Sequence, residues 1–444
     1  VEPLEARLLF SAQTTTAFGN GDLTIAVPVA DHVTITETVV PGANDVNGPY
    51  QFAVTDSLGA IGGAGSGGFK NVKNITVNVT ASGSIISVQG IDDNAQDQVT
   101  GIPGNLKISD SRANNTLSVE VHDGFTVGGA VSISNTGKGS TFVPETITEG
   151  DSAGQVETGV FLDPNRKGSY GSVSIQGTGS VGLDGVKVFG NVKVNLGSAT
   201  STFVTGAEWV YRQDPDSPPW STFRQDNNTI GGSLSVTGGD DDEVYSSVIG
   251  GDVALHESTA ATGQDYALLG GVSIGNTLSI LTSAPTSGVF ADFSNIGGAA
   301  TIDEGAGKNV LGIDSTYFGG PTNFSQAANA DGNFIFIDSE AALTTAVGVV
   351  ANGLPDDSQY IAALTTAAVL PPETGSTFAG AVTATQGVAP HQLDISQDAN
   401  PVTVFASSRS LFKADGGTIL SEASAAHGVP IKIVGYGTLT VTGF

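Results

Sequence analysis

The stretch 230–258, IGGSLSVTGGDDDEVYSSVIGGDVALHES, constrains the fold of this chain more than any other. A Gly-Gly pair follows the aliphatic Ile230 and opens onto a short alternating segment, Ser233-Leu234-Ser235-Val236. A polar Gly/Asp turn leads to a second segment, Glu243 to Val248. The signal then returns as Ile249-Gly250-Gly251, 19 residues after Ile230. A fixed interval combined with strands of period two marks a solenoid, whose units have too little apolar surface for separate cores and must stack.

The signal recurs on both sides. It stands at Pro103-Gly104-Asn105, Val127-Gly128-Gly129, Tyr170-Gly171-Ser172 and Phe189-Gly190-Asn191, then at Leu269-Gly270-Gly271, Ile296-Gly297-Gly298 and Phe318-Gly319-Gly320. From Tyr170 the spacings are 19, 41, 19, 20, 27 and 22 residues. The segments that follow alternate, with Leu106/Ile108, Val131/Ile133, Val173/Ile175, Val192/Val194, Val253/Leu255 and Ile302 on the face that must enter a core. Gly-Gly suits a sharp corner, where φ can be positive and stacked backbones come close. The chain therefore reads as all-β, a parallel β-solenoid of the right-handed β-helix kind, with N- and C-terminal β caps and one short helix.

Composition supports an extended β-protein. There are 61 Gly among 444 residues, only 14% charged residues and 39% hydrophobic ones, and the alternation argues against disorder. No apolar run reaches the ~18 residues of a membrane span, so no membrane insertion is expected. The absence of Cys excludes disulfides and thiolate metal sites. A net charge of −28 disfavours nucleic acid and anionic membranes as partners. It fits either simple solubility or a calcium-containing, saline exterior. With no Met in the chain, residues preceding Val1 are expected in the translated protein.

At the start of the chain, Val1–Ala12 reads VEPLEARLLFSA. It resembles the LEPR-XLL motif found near the N-terminus of large secreted and surface proteins of planctomycete-type bacteria. Glu2, Pro3, Leu4, Glu5, Arg7, Leu8, Leu9, Ser11 and Ala12 carry the match, and Phe10 stands where Leu is common. The resemblance spans twelve residues and speaks to origin and export. It implies a multi-module extracellular or cell-surface protein, often with β-helical repeats. A short amphipathic helix or cap over the first coil accounts for the same residues.

Four regions follow from the texture of the sequence. Residues 1–68 form an N-terminal segment and cap, with Leu23/Ile25/Val27 and Val33/Ile35 as alternating strands. Residues 69–338 form the solenoid, roughly a dozen coils and on the order of 60 Å at ~4.8 Å per coil, with insertions at 143–166 and 207–228. Residues 339–377 are an Ala-rich, partly helical linker, with a helix expected over Asp357–Val369, capped by Asp356/Asp357 and stopped by Pro371-Pro372. Residues 378–444 return to β as a C-terminal domain or cap.

Two places carry functional chemistry. The insertion 207–228 holds both tryptophans, Trp209 and Trp220, with Tyr211, Arg212, Phe223 and Arg224. Long loops with their own aromatics serve interfaces or ligands, and Trp, Tyr and Arg suit protein contacts or stacking on sugar rings. Packing of the tryptophans onto the solenoid wall would need the same residues. The second place is Asp240, Asp241, Asp242 and Glu243, a carboxylate turn that could contribute oxygens to calcium. The acidic turn is not iterated from coil to coil, so a solvated turn explains it equally; no other cofactor is implied.

An enzyme reading has less to stand on. The strand charges Lys107, Glu120, Lys187, Lys193 and Asp252 form no matched set one coil apart, as glycoside hydrolysis would need. The five histidines show no metal spacing. The sequence is thus expected to be a non-enzymatic structural protein outside the cell, a subunit of a surface fibre, sheath or layer that self-associates through terminal caps and loops. The alternatives are an adhesin binding surface glycans through the Trp209/Trp220 loop, then a β-helix enzyme that degrades polysaccharide.

Overall fold

A computed structural model gives the fold. It describes residues 13–39, 50–61, 68–91, 100–122, 124–143, 145–146, 156–157, 160–162, 169–197, 201–206, 208–212, 220–224, 227–257, 264–314, 316–327, 333–337, 376–378, 382–388 and 391–395, and five short strands between 403 and 442. Among these there is no helix, and strands run from Thr15–Gly19 to Leu439–Thr442. The LEPR-XLL-like segment and the helix expected over Asp357–Val369 lie outside the described residues. The chain groups into two compact units: 1–145 with 157–178, and 146–156 with 179–444.

In the first unit, Asp22–Val27, Asn74–Val79, Leu106–Asp110, the second half of Phe125–Asn135 and that of Ser169–Gly177 lie side by side and parallel. Alternate residues enter the core: Leu23, Ile25, Ile75, Val77, Leu106, Ile108, Val131 and Ile133 are at most 1% exposed. A second parallel ladder joins His32–Val39, Ser84–Gln89 and Thr116–His122. The next coil meets Thr116–His122 with two pieces, Thr141–Phe142 and Val160–Leu162, between which the insertion leaves and returns. Coiling thus begins at Asp22, well before residue 69. Antiparallel pairings gather at this first edge: Thr15–Gly19 lies on Asp22–Val27, and Tyr50–Asp56 on His32–Val39, with Gly59–Ala60 and Phe69–Lys70 in turn on Tyr50–Asp56. Asn20 and Gly21 turn the first hairpin with φ of 56° and 90°, the two-residue geometry that matches strand twist.

In the second unit the described residues of the coils between Lys187 and Ile395 supply strands to three parallel ladders. The four- to seven-residue strands Val192–Leu196, Leu234–Thr237, Val253–His256, Leu278–Thr282, Ala300–Glu304, Thr322–Gln326 and Val382–Val388 form one. Thr202–Thr205, Asp241–Tyr245, Gln264–Gly270, Thr286–Asp292, Lys308–Asp314, Asn333–Ile337 and His391–Ile395 form another. The third is short, from Lys187–Val188 through Asn228–Ile230, Ser247–Ile249, Ser273–Ile274, Asn295–Ile296 and Tyr317–Phe318 to Thr377–Phe378. These large parallel sheets are consistent with the expected β-solenoid. The described strands of 378–444, expected as a C-terminal β-domain or cap, pair in parallel onto these ladders. Phe378 stacks on Phe318 at 5.0 Å between ring centroids with 1° between the planes, and both rings are fully buried.

The corners follow the short ladder, and their register corrects the sequence reading in places. Ile230, Ile249, Ile274, Ile296 and Phe318 are the inward residues. On the coil after Ile249 the corner is therefore Ile274-Gly275-Asn276, while Leu269-Gly270-Gly271 merely ends a longer strand. Likewise Val188 and Ile102, rather than Phe189 and Pro103, fill the inward place. Phe189 stands outside at 62% exposure, with the Lys187 ammonium 5.1 Å from its ring centroid. The corner glycines are needed for closeness: a Cβ on Gly250 would lie 2.6 Å from the Gly231 carbonyl oxygen, and one on Gly297 2.7 Å from that of Gly275.

Outside several corners a side-chain oxygen links coils. Asn74 accepts the N–H of Asn105 (2.8 Å), and Asn105 that of Ala130 (2.8 Å). In the second unit Asn191 accepts from Ser233, Ser233 from Asp252 and Asp252 from Thr277.

Candidate functional site

The 207–228 insertion folds as an antiparallel ribbon of Glu208–Arg212 and Trp220–Arg224. Its register sets Trp209 opposite Phe223, Tyr211 opposite Ser221, Arg212 opposite Trp220 and Glu208 opposite Arg224. All six residues singled out in the sequence therefore belong to one two-stranded element; their side chains lie outside the described residues. The ribbon replaces a tight corner. On the next coil Tyr245 connects to Ser247 through Ser246 alone, at φ 39°.

Its base is built from buried polar groups. Asn228, fully buried, accepts the N–H of Val186 at 2.6 Å and donates to the Leu183 carbonyl at 3.0 Å and the Thr205 hydroxyl at 2.6 Å. Thr205 ends the strand that enters the ribbon and Asn228 begins the strand that leaves it, so one amide clamps both ends to the preceding coil. A buried amide with its donors and acceptor satisfied holds such a junction rigidly.

The acidic turn is divided by its own strand. Asp240 precedes Asp241–Tyr245, and a strand sends successive side chains to opposite faces. Asp242 is 0% exposed, whereas Asp241 and Glu243 lie on the other face, where Glu243 accepts from the Tyr245 hydroxyl at 3.0 Å. The four acids read as one calcium turn thus do not converge. Among the described residues, no three of His, Cys, Asp and Glu are placed to hold a metal ion.

The inward pair joins acids that the sequence reading passed over. Asp265 lies on the next coil beside Asp240, one position before the Asp241–Tyr266 pairing, and is itself 0% exposed. Glu257 follows Val253 and Leu255 at the next inward place of its strand, 6% exposed. In register beyond it stand Thr282, Glu304 and Gln326, and beyond Asp265 stand Ser287 and Asn309. Asp265 accepts the N–H groups of Ser283 and Ala284 at 2.9 and 2.8 Å. Gln326 donates to Glu304 at 2.7 Å, and Ser287 to Asn309 at 3.0 Å. Asp242 has no hydrogen-bond partner among the described residues.

Burial drives the electrostatics of this seam. It pushes Glu304 up to about 8, and, with Asp265 alongside, Asp240 to about 6. Asp242 and Glu257 rise well above the carboxylate range, first through burial and then through neighbouring carboxylates. Asp265 rises less, because backbone N–H groups favour its charged form. The signal was in the alternation: counting by twos from Val253 and Ala300 puts Glu257 and Glu304 inside.

Compared with protein-family models, curated proteins and solved structures, the chain matches none. No helix among the described residues is long and apolar enough to cross a membrane, which leaves strand-based crossing unaddressed.

Proposed function

We propose that this chain is a structural, extracellular subunit of a bacterial surface fibre, sheath or layer, a right-handed coil whose antiparallel first strands act as an N-terminal cap. The observation that supports this is the coil-to-coil pairing of the second unit, where the three parallel ladders hold a steady register through the coils from Leu234–Thr237 to Val382–Val388. Backbone pairing repeated along one direction makes a stiff body, and open filaments arise when one end of a subunit binds the other end of the next. The function is mechanical and associative, and the partner is a further copy of the chain. Negative-stain imaging of material from the native source, with and without a calcium chelator, is the test. Regular filaments or lattices are expected; isolated particles at every concentration would remove the reading.

A second reading, a glycan-binding adhesin, is favoured by the ribbon alone, since two tryptophans and two arginines stand on one clamped hairpin. Replacing both Trp209 and Trp220 by Ala should abolish retention on a glycan surface and leave assembly intact. Retention unchanged by the double replacement would count against a role for this ribbon.

A further inference from the structure

The inward acids of the second unit lie where a solenoid ordinarily places aliphatic side chains. Asp240 and Asp242 on one coil face Asp265 on the next, Glu257 meets Asp265 across the corner between two ladders, and Glu304 continues the column of Glu257 two coils on. Glu257 and Asp265 are both buried and each raises the other's cost of charge, so one of the two is held neutral more readily than both are charged. Asp265 takes two backbone N–H groups, which suits it to the charged role and leaves the proton on Glu257.

Among the described residues, no basic side chain acts on Asp242, Glu257 or Glu304. Between Arg224 and Lys308 the chain has no Lys and no Arg. The strand packed before the cluster, Thr202–Thr205, and the strand after Glu257, Leu278–Thr282, carry no titratable group. Asp241 and Glu243 are further acids on the outer face of their strand, and Tyr245 is bonded to Glu243. His256, beside Glu257, points to the other face and bonds Ser279 at 3.0 Å. Tyr266 and Asp292 belong to the outer face of their ladder, and Asp303 accepts from Ser325 at 2.5 Å. A buried carboxylate without a counter-charge is costly, and neutralising it with a proton is the inexpensive alternative.

We propose that this seam is a proton lock: the central coils of the second unit fold with Asp242, Glu257 and Glu304 in the neutral acid form, and release of those protons loosens the stack. The sign follows from linkage. These acids titrate near ~4 in an unfolded chain and higher when folded, so between the two values the folded state binds more protons. The stabilisation is complete below the unfolded value. It is lost as pH rises through the folded ones, which for Glu304 is about 8.

The test uses the full chain. The thermal midpoint of the wild type should fall by on the order of 5 °C between about pH 5 and about pH 9. In the triple variant Asp242→Asn, Glu257→Gln, Glu304→Gln the fall should largely vanish, because the amides have nothing to release. Infrared spectra of the wild type at about pH 7 should also show the carbonyl band of protonated carboxylic acids, a readout that survives if the variant fails to fold. A wild-type midpoint that is flat or rises with pH, or absence of that band, overturns the proposal. So does stabilisation of the wild type by calcium at about pH 8 that the triple variant lacks, which would make the seam an ion site.

Discussion

Gly250 shows how one residue fixes a corner. Its backbone does not use a positive φ, yet a Cβ there would meet the Gly231 carbonyl at 2.6 Å, and the carbonyls on either side, Ile230 and Gly232, are held by the coil-to-coil bonds from Gly250 and Gly251. Gly250→Ala should therefore destabilise the second unit by about 1–3 kcal/mol, the usual cost of overpacking. Gly19→Ala, at a strand end with nothing within 4 Å, should stay within about 1 kcal/mol of wild type. Denaturant midpoints of the two variants separate close approach from conformational freedom as the reason for glycine; equal effects would refute the distinction. The Gly-Gly pairs were legible in the sequence, but their partners were not. Leu269-Gly270-Gly271 looks the same as Ile249-Gly250-Gly251 in one dimension, and only the pairing of Ile274 with Ile249 and Ile296 shows which copy is the corner.

At the scale of elements, the strands were legible wherever apolar residues alternate, because a buried inner face demands it. The continuation after residue 376 was not, because a long Ala-rich stretch separates Thr377–Phe378 from Tyr317–Phe318 and masks the repeat. A finer signal was present. Ser247, Ser294, Thr316 and Ser376 each stand two residues before the inward Ile or Phe, and hydroxyls of this set bond the coil before: Thr316 accepts from the Ser294 N–H at 3.3 Å and Ser376 from the Thr316 N–H at 3.1 Å. Phe378 then stacks on Phe318 and meets Phe324 edge-on at 6.2 Å. Phe378→Ala should cost about 3–5 kcal/mol. Hydrogen exchange should show Val382–Val388 opening while Ala300–Glu304 stays protected, since solenoid coils depend chiefly on their neighbours. Uniform loss of protection would argue for a single cooperative body. The ribbon's strand pairing was invisible beforehand: aromatic content announced an insertion, but no turn signal fixed Trp209 opposite Phe223.

For the whole molecule, charge is the dominant quantity. A net charge of −28 means that copies repel over a Debye length, roughly 10 Å at 0.1 M salt. Association of the kind proposed should therefore strengthen with ionic strength, and light scattering across a salt series would read it. Weakening with added salt would imply attractive charge pairs between copies. The acidic balance was plain from composition, but composition gives no hint that several carboxylates face inward. That depends on parity along particular strands, and Asp240–Glu243 shows how one of four adjacent acids, Asp242, is buried while its neighbours stay partly exposed.

The coil register is set at the corners and tolerates almost any length between them. Bonded partners on adjacent coils are 19 residues apart at Ser233 and Asp252, 25 at Asp252 and Thr277, 42 at Val186 and Asn228, and 60 at Thr316 and Ser376. The ladders thus behave as a ruler with blank graduations. A peptide grafted at 258–263 would sit three graduations from one grafted at 328–332, about 14 Å at the strand spacing. The separation would be set by the number of coils between the grafts, whatever the grafts themselves contain.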